Sequence, residues 1–373
     1  MKLLTETLNS IEPASAEFRE QATRRIESLT MPHCALGRLL DLAVDLAGMT
    51  RSLEFPVARK TVVLMAGDHG IVAEGVTPQP SSVTVQMVHN FVAGGAGINA
   101  VARSTGTRVV VADLGVAADL SDLVSAGKIF DCKVAPGTCN FAKGPAMTRL
   151  QAVASLEAGI GLARRLAPET DVFGSGEMGI GNTSPSSAIV AVLSRQDPGP
   201  LVGPGAALPQ SRLAHKAEVI RRGIALNRPD PADGIDVLAK VGGFEIGGIA
   251  GLALGAAALR KPMMVDGFIS SAGALIAAAI SPAVKDYLIL AHGSSEPGHR
   301  TMARLLGKKS VPAIVLFEKS PEGCRTVLAA ALRQNTLSLF EQAASVAALC
   351  DPFGMELAGV AKALQLSEGT VLS

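Results

Sequence analysis

The chain is poor in aromatic residues. Its 373 residues include no tryptophan and one tyrosine, Tyr287, and aromatic side chains make up 3% of the whole. A protein that binds single-stranded nucleic acid by stacking needs more rings than this. The net charge is +1, from 34 basic and 33 acidic residues. The composition therefore predicts neither nucleic acid nor an anionic membrane as a partner.

Metal-ligand spacings and paired cysteines are also missing. The five cysteines form no CxxC pair and the six histidines form no HExxH pattern, so we predict no metal and no other cofactor. An acid, Glu6, precedes any N-terminal apolar run, which argues against a signal peptide. The longest apolar stretch, near Ile269–Ile280, is too short to cross a bilayer. We therefore expect a cytoplasmic protein with reduced cysteines.

The motifs of several large enzyme classes are absent. There is no GxSxG, no P-loop and no kinase motif set. The segment Val109–Leu114 carries one acid, Asp113, whereas transferases that use phosphoribosyl pyrophosphate carry a pair there. A diphosphate held by Mg²⁺ would need more carboxylates, so a donor with a single phosphate fits better.

The sequence does contain a repeated order of strand, loop and helix. Six β-branched runs each lead into a polar, mostly Gly- or Asp-rich turn, and helical stretches such as Val83–Arg103 lie between them. The runs are Thr61–Ala66, Arg108–Ala112, Asp171–Phe173, Lys261–Val265, Tyr287–Leu290 and Val311–Leu316. This order predicts an α/β fold: a doubly wound, mostly parallel six-stranded sheet with helices on both faces. Its ligand should lie at the carboxyl edge of the strands.

Two domains are predicted. Residues 55–320 should form the Rossmann-like α/β domain. Helical periodicity in residues 1–54 and in the C-terminal residues predicts a small helical domain formed by 1–54 together with 321–373.

A glycine-rich segment, Gly174–Thr183, follows the third predicted strand and precedes a helix. Its small residues would let backbone N–H groups approach an anion at the helix start. A lone GxGxxG is weak evidence for a dinucleotide site of the dehydrogenase type. Such a site needs an acid about twenty residues later at the end of a second strand, and here that acid would have to be Asp197, which lies in a Pro/Gly loop. A tight turn would explain the glycines, but it would not explain Glu177 among them.

Three other polar segments attract attention. The turn Gly203–Gly205 with Lys216 on the next helix could hold one phosphate monoester, although Lys216 by itself resembles an ordinary solvated lysine. Ser294 could donate to phosphate, or cap a helix that begins at Pro297. Adjacent residues on a strand point to opposite faces, so we expect Asp68 to orient loop amides rather than to form a dyad with the following histidine.

Together these segments resemble the nicotinate-nucleotide–dimethylbenzimidazole phosphoribosyltransferase family, from about Gly37 to Glu296. The motifs are Ala66–Ile71, Val83-Thr84, Gly176–Thr183, Asp233–Leu238, Val241–Ile246 and Asp266–Ser270. The resemblance implies a pentosyltransferase that moves the phosphoribosyl group of nicotinate mononucleotide to 5,6-dimethylbenzimidazole or a similar aromatic base. The products would be nicotinate and the α-ribotide (α-ribazole phosphate) of the cobamide (vitamin B12) lower ligand. It also implies a dimer, which we expect to be a homodimer.

The resemblance also assigns site residues. The nicotinate mononucleotide site would be lined by Gly176, Glu177, Gly203, Gly205, Lys216 and Ser294, together with Gly179 and Asn182 of the same glycine-rich segment. The aromatic acceptor would lie against the loop that ends at Ser82, and against Met87.

The general base is the point at which this chain departs from the family pattern. The family carries its base in a Leu-Gly-Glu-Gly-(Ser/Thr)-Gly-Ala segment after the last strand. An ungapped alignment puts Ser320 at the glutamate, whereas a slip of two residues puts Glu322 there, where a first helical turn would favour an acid anyway. Both alignments stay open, and Glu322 and Glu177 are the candidate bases. If Ser320 holds the position, the chain could be a non-catalytic partner, or one subunit of a heterodimer of homologous chains that activates phenolic acceptors.

Overall fold

The structure is a computed structural model that describes residues 2–31 and 36–307. Within these residues lies one six-stranded parallel sheet with the strand order β3-β2-β1-β4-β5-β6. The strands are β1 Lys60–Gly67, β2 Thr107–Gly115, β3 Phe130–Asp131, β4 Val172–Met178, β5 Met263–Val265 and β6 Leu288–Leu290. The α-helices are α1 Lys2–Asn9, α2 Ala16–Glu27, α3 Arg38–Thr50, α4 Ser82–Ala93, α5 Gly97–Thr105, α6 Ser121–Ser125, α7 Arg149–Leu166, α8 Thr183–Ser194, α9 Leu213–Asn227, α10 Gly234–Val241, α11 Phe244–Ala258, α12 Phe268–Ile280 and α13 His299–Leu305. The predicted doubly wound α/β fold is confirmed.

The six strands are not the six that were predicted. Five predicted strands correspond to β1, β2, β4, β5 and β6, whereas Val311–Leu316 lies outside the described residues. The sixth observed strand, β3, has only two residues and pairs at the edge with Ala112 and Asp113. The helical stretch predicted over Val83–Arg103 consists of two helices, because Gly94 at φ 79° ends α4 in the left-handed region and α5 begins three residues later.

The strand order places a crevice at the centre of the sheet. The chain runs from β1 outward through β2 to β3 and then crosses back to β4 on the other side of β1. Ligands bind at such a switch point, beyond the carboxyl ends of the strands. Here the loop Asp68–Gly70 after β1 faces the segment after β4.

Small residues hold the helical layer close together. Every residue of α11 from Phe244 to Ala257 is buried. A Cβ added to Gly159 of α7 would lie 2.0 Å from the carbonyl oxygen of Gly248 on α11, so the two helices touch backbone to backbone. This close packing is how a chain with few rings fills its interior.

The N-terminal segment is hydrogen-bonded to the α/β domain. The Leu4 N–H donates to Glu157 at 3.0 Å, and the Ala14 N–H donates to Asp286 at 3.0 Å. The buried Tyr287 hydroxyl donates to the Glu12 carbonyl at 2.9 Å. The other half of the predicted small domain, 321–373, lies outside the described residues, so the division into two domains stays a prediction.

Over residues 2–31 and 36–307, no helix has the length and the apolar content needed to cross a membrane.

Candidate active site

A cavity of about 320 Å³ opens at the carboxyl edge of the sheet, where a ligand site was predicted. Its wall combines the end of β4, the starts of α8 and α12, the glycine turn near residue 205 and the loop after β6. The polar residues in that wall are Glu177, Asn182, Thr183, Asp266, Ser270, His292, Ser294 and Glu296. Two helix N-termini therefore meet at one cavity, and both favour negative charge there.

Glu177 stands near the end of β4, and its Oε2 accepts a hydrogen bond from the Asn182 side-chain amide. Burial raises the pKa of Glu177 to about 7 against the opposing effect of that hydrogen bond, and the carboxylates of Glu245 and Asp266 raise it further. His69 acts in the opposite direction. A carboxyl group that exchanges its proton near neutral pH is suited to acid–base chemistry or to stabilising a nearby cation.

Lys216 is a buried cation, not the solvated helix lysine that its sequence position resembles. It is 1% exposed, and its Nζ donates to Thr183 Oγ1 at 2.8 Å and to the Gly203 carbonyl at 3.0 Å. Burial lowers the pKa of Lys216 to about 8, although the Glu296 carboxylate partly offsets this. Lysine is rarely buried without a charged partner, so the position is typical of an anion site.

The turn Gly203–Gly205 wraps around Glu296. The Gly205 N–H donates to Glu296 Oε1 at 2.9 Å, and Gly205 has φ 51°. A Cβ on Gly203 would lie 2.1 Å from Glu296 Oε2. Ser294 Oγ accepts the Glu296 N–H at 3.2 Å, and the helix that follows begins at His299 rather than at the predicted Pro297.

His69 pairs with a residue that the sequence analysis missed. Its Nε2 donates to Glu245 Oε1 at 2.7 Å, and the two side chains are 1% and 0% exposed. Burial lowers the pKa of His69, but the Glu245 carboxylate, with smaller contributions from Asp68 and Glu177, raises it above its usual value. Asp68 accepts the Ala117 N–H at 2.8 Å, so the orienting role predicted for it is confirmed.

Four other residues predicted for the site, Gly176, Gly179, Ser82 and Met87, are not in the wall of this cavity. Gly176 pairs with Leu64 inside the sheet, and a Cβ on Gly179 would lie 2.4 Å from the Gly67 carbonyl oxygen. Ser82 is exposed at the start of α4, and Met87 on the same helix is half-buried. Thr84 of α4 accepts the Ile180 N–H at 3.2 Å, which brings this helix to the segment after Glu177. Glu322 and Ser320 lie outside the described residues.

The class of this protein follows from a comparison with known families: the chain is a phosphoribosyltransferase. The family model described as "Phosphoribosyltransferase" matches residues 11–349.

Comparison with individual relatives identifies the family within this class. The chain is 54% identical to the nicotinate-nucleotide–dimethylbenzimidazole phosphoribosyltransferase of Syntrophotalea carbinolica over 345 residues, which cover 92% of this chain and 97% of that one. It is 51% identical to the enzyme of the same name from Desulfotalea psychrophila over 88% of this chain and 92% of that one. A crystal structure of the Thermus thermophilus enzyme of that name superposes with a TM-score of 0.74 at 39% identity, covering 80% of this chain and 88% of that one. The chain belongs to the nicotinate-nucleotide–dimethylbenzimidazole phosphoribosyltransferase family.

Proposed function

We propose that this protein transfers the phosphoribosyl group of nicotinate mononucleotide to 5,6-dimethylbenzimidazole or a similar aromatic base, forming the α-ribotide of a cobamide lower ligand. The observation that carries the proposal is the cavity at which Glu177, whose pKa is about 7, lies with two helix N-termini and with Thr183, a hydrogen-bond partner of the buried Lys216. Relatives that share about half of their residues with this chain carry the name of this activity.

The donor presents one phosphate and one ribose. Lys216 with the N-terminus of α8 supplies positive charge for the phosphate, and Asn182 fixes the carboxyl group of Glu177. In the reaction a ring nitrogen of the acceptor forms a bond to C1′ while the C1′–N bond to the pyridinium ring breaks. The electron pair of that bond returns to the nicotinate nitrogen, so nicotinate leaves with its ring neutral.

Charge development explains why a carboxylate belongs here. Departure of nicotinate leaves positive charge on the ribose ring, and an ionised Glu177 in a low-dielectric cavity stabilises it. The acceptor must also lose the proton on its second ring nitrogen. We assign this step to Glu322, or to Glu177 if Glu322 does not reach the acceptor. Ser82 and Met87 are proposed to contact the acceptor from α4.

The activity is tested with the purified chain, nicotinate mononucleotide and one acceptor at a time: 5,6-dimethylbenzimidazole, adenine or phenol. Chromatography follows release of nicotinate and formation of the ribotide. We expect release that depends on the benzimidazole. Turnover with phenol alone, or only after a homologous chain is added, would favour the heterodimer alternative. Donor binding without turnover would favour a non-catalytic partner.

The base is tested with Glu322→Gln, for which we expect turnover to fall about 10²–10⁴-fold. Glu318→Gln is the matched control, because it neutralises an acid four residues earlier in the same segment. If Glu322→Gln turns over like the parent chain, Glu322 is not the base and Glu177→Gln becomes the decisive variant.

We also propose that the enzyme is a cytoplasmic homodimer, as the resemblance implies. Cys132 and Cys139 are free thiols, which suits a reducing compartment. Sedimentation equilibrium of the pure chain checks the dimer, and a monomer at the concentration of the assay would contradict it.

A further inference from the structure

The pair His69–Glu245 has no role in the steps above, although it is the most deeply buried ion pair of the described residues. A 2.7 Å bond joins His69 Nε2 to Glu245 Oε1. The second carboxylate oxygen, Glu245 Oε2, has no hydrogen-bond partner within residues 2–31 and 36–307. An ion pair without solvent contact is costly to fold, so its presence beside a cavity calls for a functional reason.

Backbone encloses the pair on three sides. A Cβ added to Gly67 would lie 3.1 Å from Glu245 Oε2, one added to Gly179 would lie 3.0 Å from His69 Nε2, and one added to Gly243 would lie 2.4 Å from His69 Cε1. These glycines belong to the end of β1, the segment after β4 and the residue before α11. Gly179 is two residues beyond Glu177, so the imidazole packs against the segment that carries the acid.

Charged groups on several elements act on Glu177. The carboxylates of Glu245 on α11 and Asp266 after β5 oppose its ionisation, Asn182 supports it by a hydrogen bond, and His69 after β1 is the cation that supports it. Asp68, the neighbour of His69 in sequence, helps to keep the imidazole protonated. Without the charge on His69, the carboxylates of Glu245 and Asp266 would still oppose ionisation of Glu177, and the cation that supports it would be lost. Asp266 has a second histidine nearby, because His292 Nδ1 lies 3.4 Å from Asp266 Oδ1.

We propose that His69, held as an imidazolium by Glu245, is a positioning residue that keeps Glu177 ionised during the transfer. The inference rests on the proposed function. The proposal adds the buried pair His69–Glu245, which does not touch substrate, to the residues on which catalysis depends.

The test is the pH dependence of kcat for nicotinate release, measured from pH 5.5 to 9 for the parent chain, His69→Gln, Glu245→Gln and the double variant. In His69→Gln the buried Glu245 carboxylate stays without its partner and opposes ionisation of Glu177. We expect the acid limb of the kcat profile to move up by about one pH unit. In this variant kcat should therefore be about tenfold lower than in the parent chain at pH 6 and should recover above pH 8.

The double variant separates charge from packing. Removing both members of the pair removes both effects on Glu177, so the acid limb should return to within about 0.3 pH unit of the parent chain. Glu245→Gln alone should leave the limb where it is or lower it. A uniform loss of kcat at every pH, or the same upward shift in the double variant, would overturn the proposal. An inactive parent chain would instead overturn the proposed function.

A second measurement covers the case in which the variants do not fold. The parent chain labelled with ¹⁵N-histidine reports the protonation of each ring by NMR, with His69 assigned by elimination against variants of the other histidines. We expect an imidazolium with both ring nitrogens protonated at pH 6. A neutral His69 ring at that pH would overturn the proposal.

Discussion

Replacing Lys216 with methionine should abolish donor binding while costing the fold little. Methionine keeps most of the apolar stem and removes the ammonium group. The ammonium is expensive to bury: the pKa of Lys216 falls from 10.5 to about 8 because of desolvation. Each unit of difference between the pKa values in the folded and unfolded states corresponds to about 1.4 kcal/mol. Burial of the charged lysine therefore lowers the free energy of unfolding by about 3 kcal/mol at neutral pH.

The hydrogen bonds of the lysine offset part of that cost. Thr183 Oγ1 and the Gly203 carbonyl would lose donors at 2.8 and 3.0 Å, a loss of about 2 kcal/mol together. At pH 7 the free energy of unfolding of Lys216→Met should therefore be within about 1 kcal/mol of that of the parent chain.

The pH dependence of the free energy of unfolding gives a more specific prediction. Between pH 8 and 10.5 the unfolded chain still holds the lysine proton while the folded chain has released it, so the parent chain gains stability as the pH rises. Relative to Lys216→Met, the gain from pH 7 to pH 9.5 should be about 2 kcal/mol. Other groups titrate equally in both proteins and cancel in the difference.

Urea unfolding at pH 7 and pH 9.5, followed by circular dichroism, measures this difference. Lys128→Met is the matched control, because Lys128 is exposed and its replacement removes a lysine without removing a buried ammonium group. Calorimetry with nicotinate mononucleotide should show that only Lys216→Met loses binding. A stability difference for Lys216→Met that stays constant between the two pH values would refute the argument.

Two further predictions concern the close packing of α7 on α11 and the reactivity of the two described cysteines. Gly159→Ala places a Cβ 2.0 Å from the Gly248 carbonyl oxygen and should destabilise the fold by about 2–3 kcal/mol. Gly161→Ala on the same helix meets nothing within 4 Å and should gain about 0.5–1 kcal/mol, so equal melting temperatures would contradict the proposed close contact. Burial raises the pKa of Cys132 to about 11 while Cys139 is exposed, so iodoacetamide at pH 8 should alkylate Cys139 before Cys132, which peptide mass spectrometry detects.

The sequence was informative wherever a signal is local. Alternation of strand and helix placed five strands, because each run has enough residues to show its pattern. β3, with two residues, has no periodicity to detect. The break between α4 and α5 depends on one backbone angle at Gly94, which the helical pattern on either side concealed.

The site was predictable only in part, for the same reason. Glu177 stood out because an acid among glycines has no structural explanation. The burial of Lys216 was invisible, since a helix lysine looks alike whether water or protein surrounds it. The partner of His69 lies 176 residues away, and only the fold brings the two together. The one local sign of Glu245 was an acid at the start of an otherwise apolar helix.

The hydrogen bond from Tyr287 to Glu12 gives the protein a built-in optical reporter. With no tryptophan and no second tyrosine, ultraviolet emission excited near 280 nm comes from this one phenol. Its hydroxyl is bound to the N-terminal segment, so detachment of that segment would change the emission while the sheet stays intact. Undocking of residues near Glu12 can thus be timed by fluorescence in the unlabelled protein, apart from global unfolding.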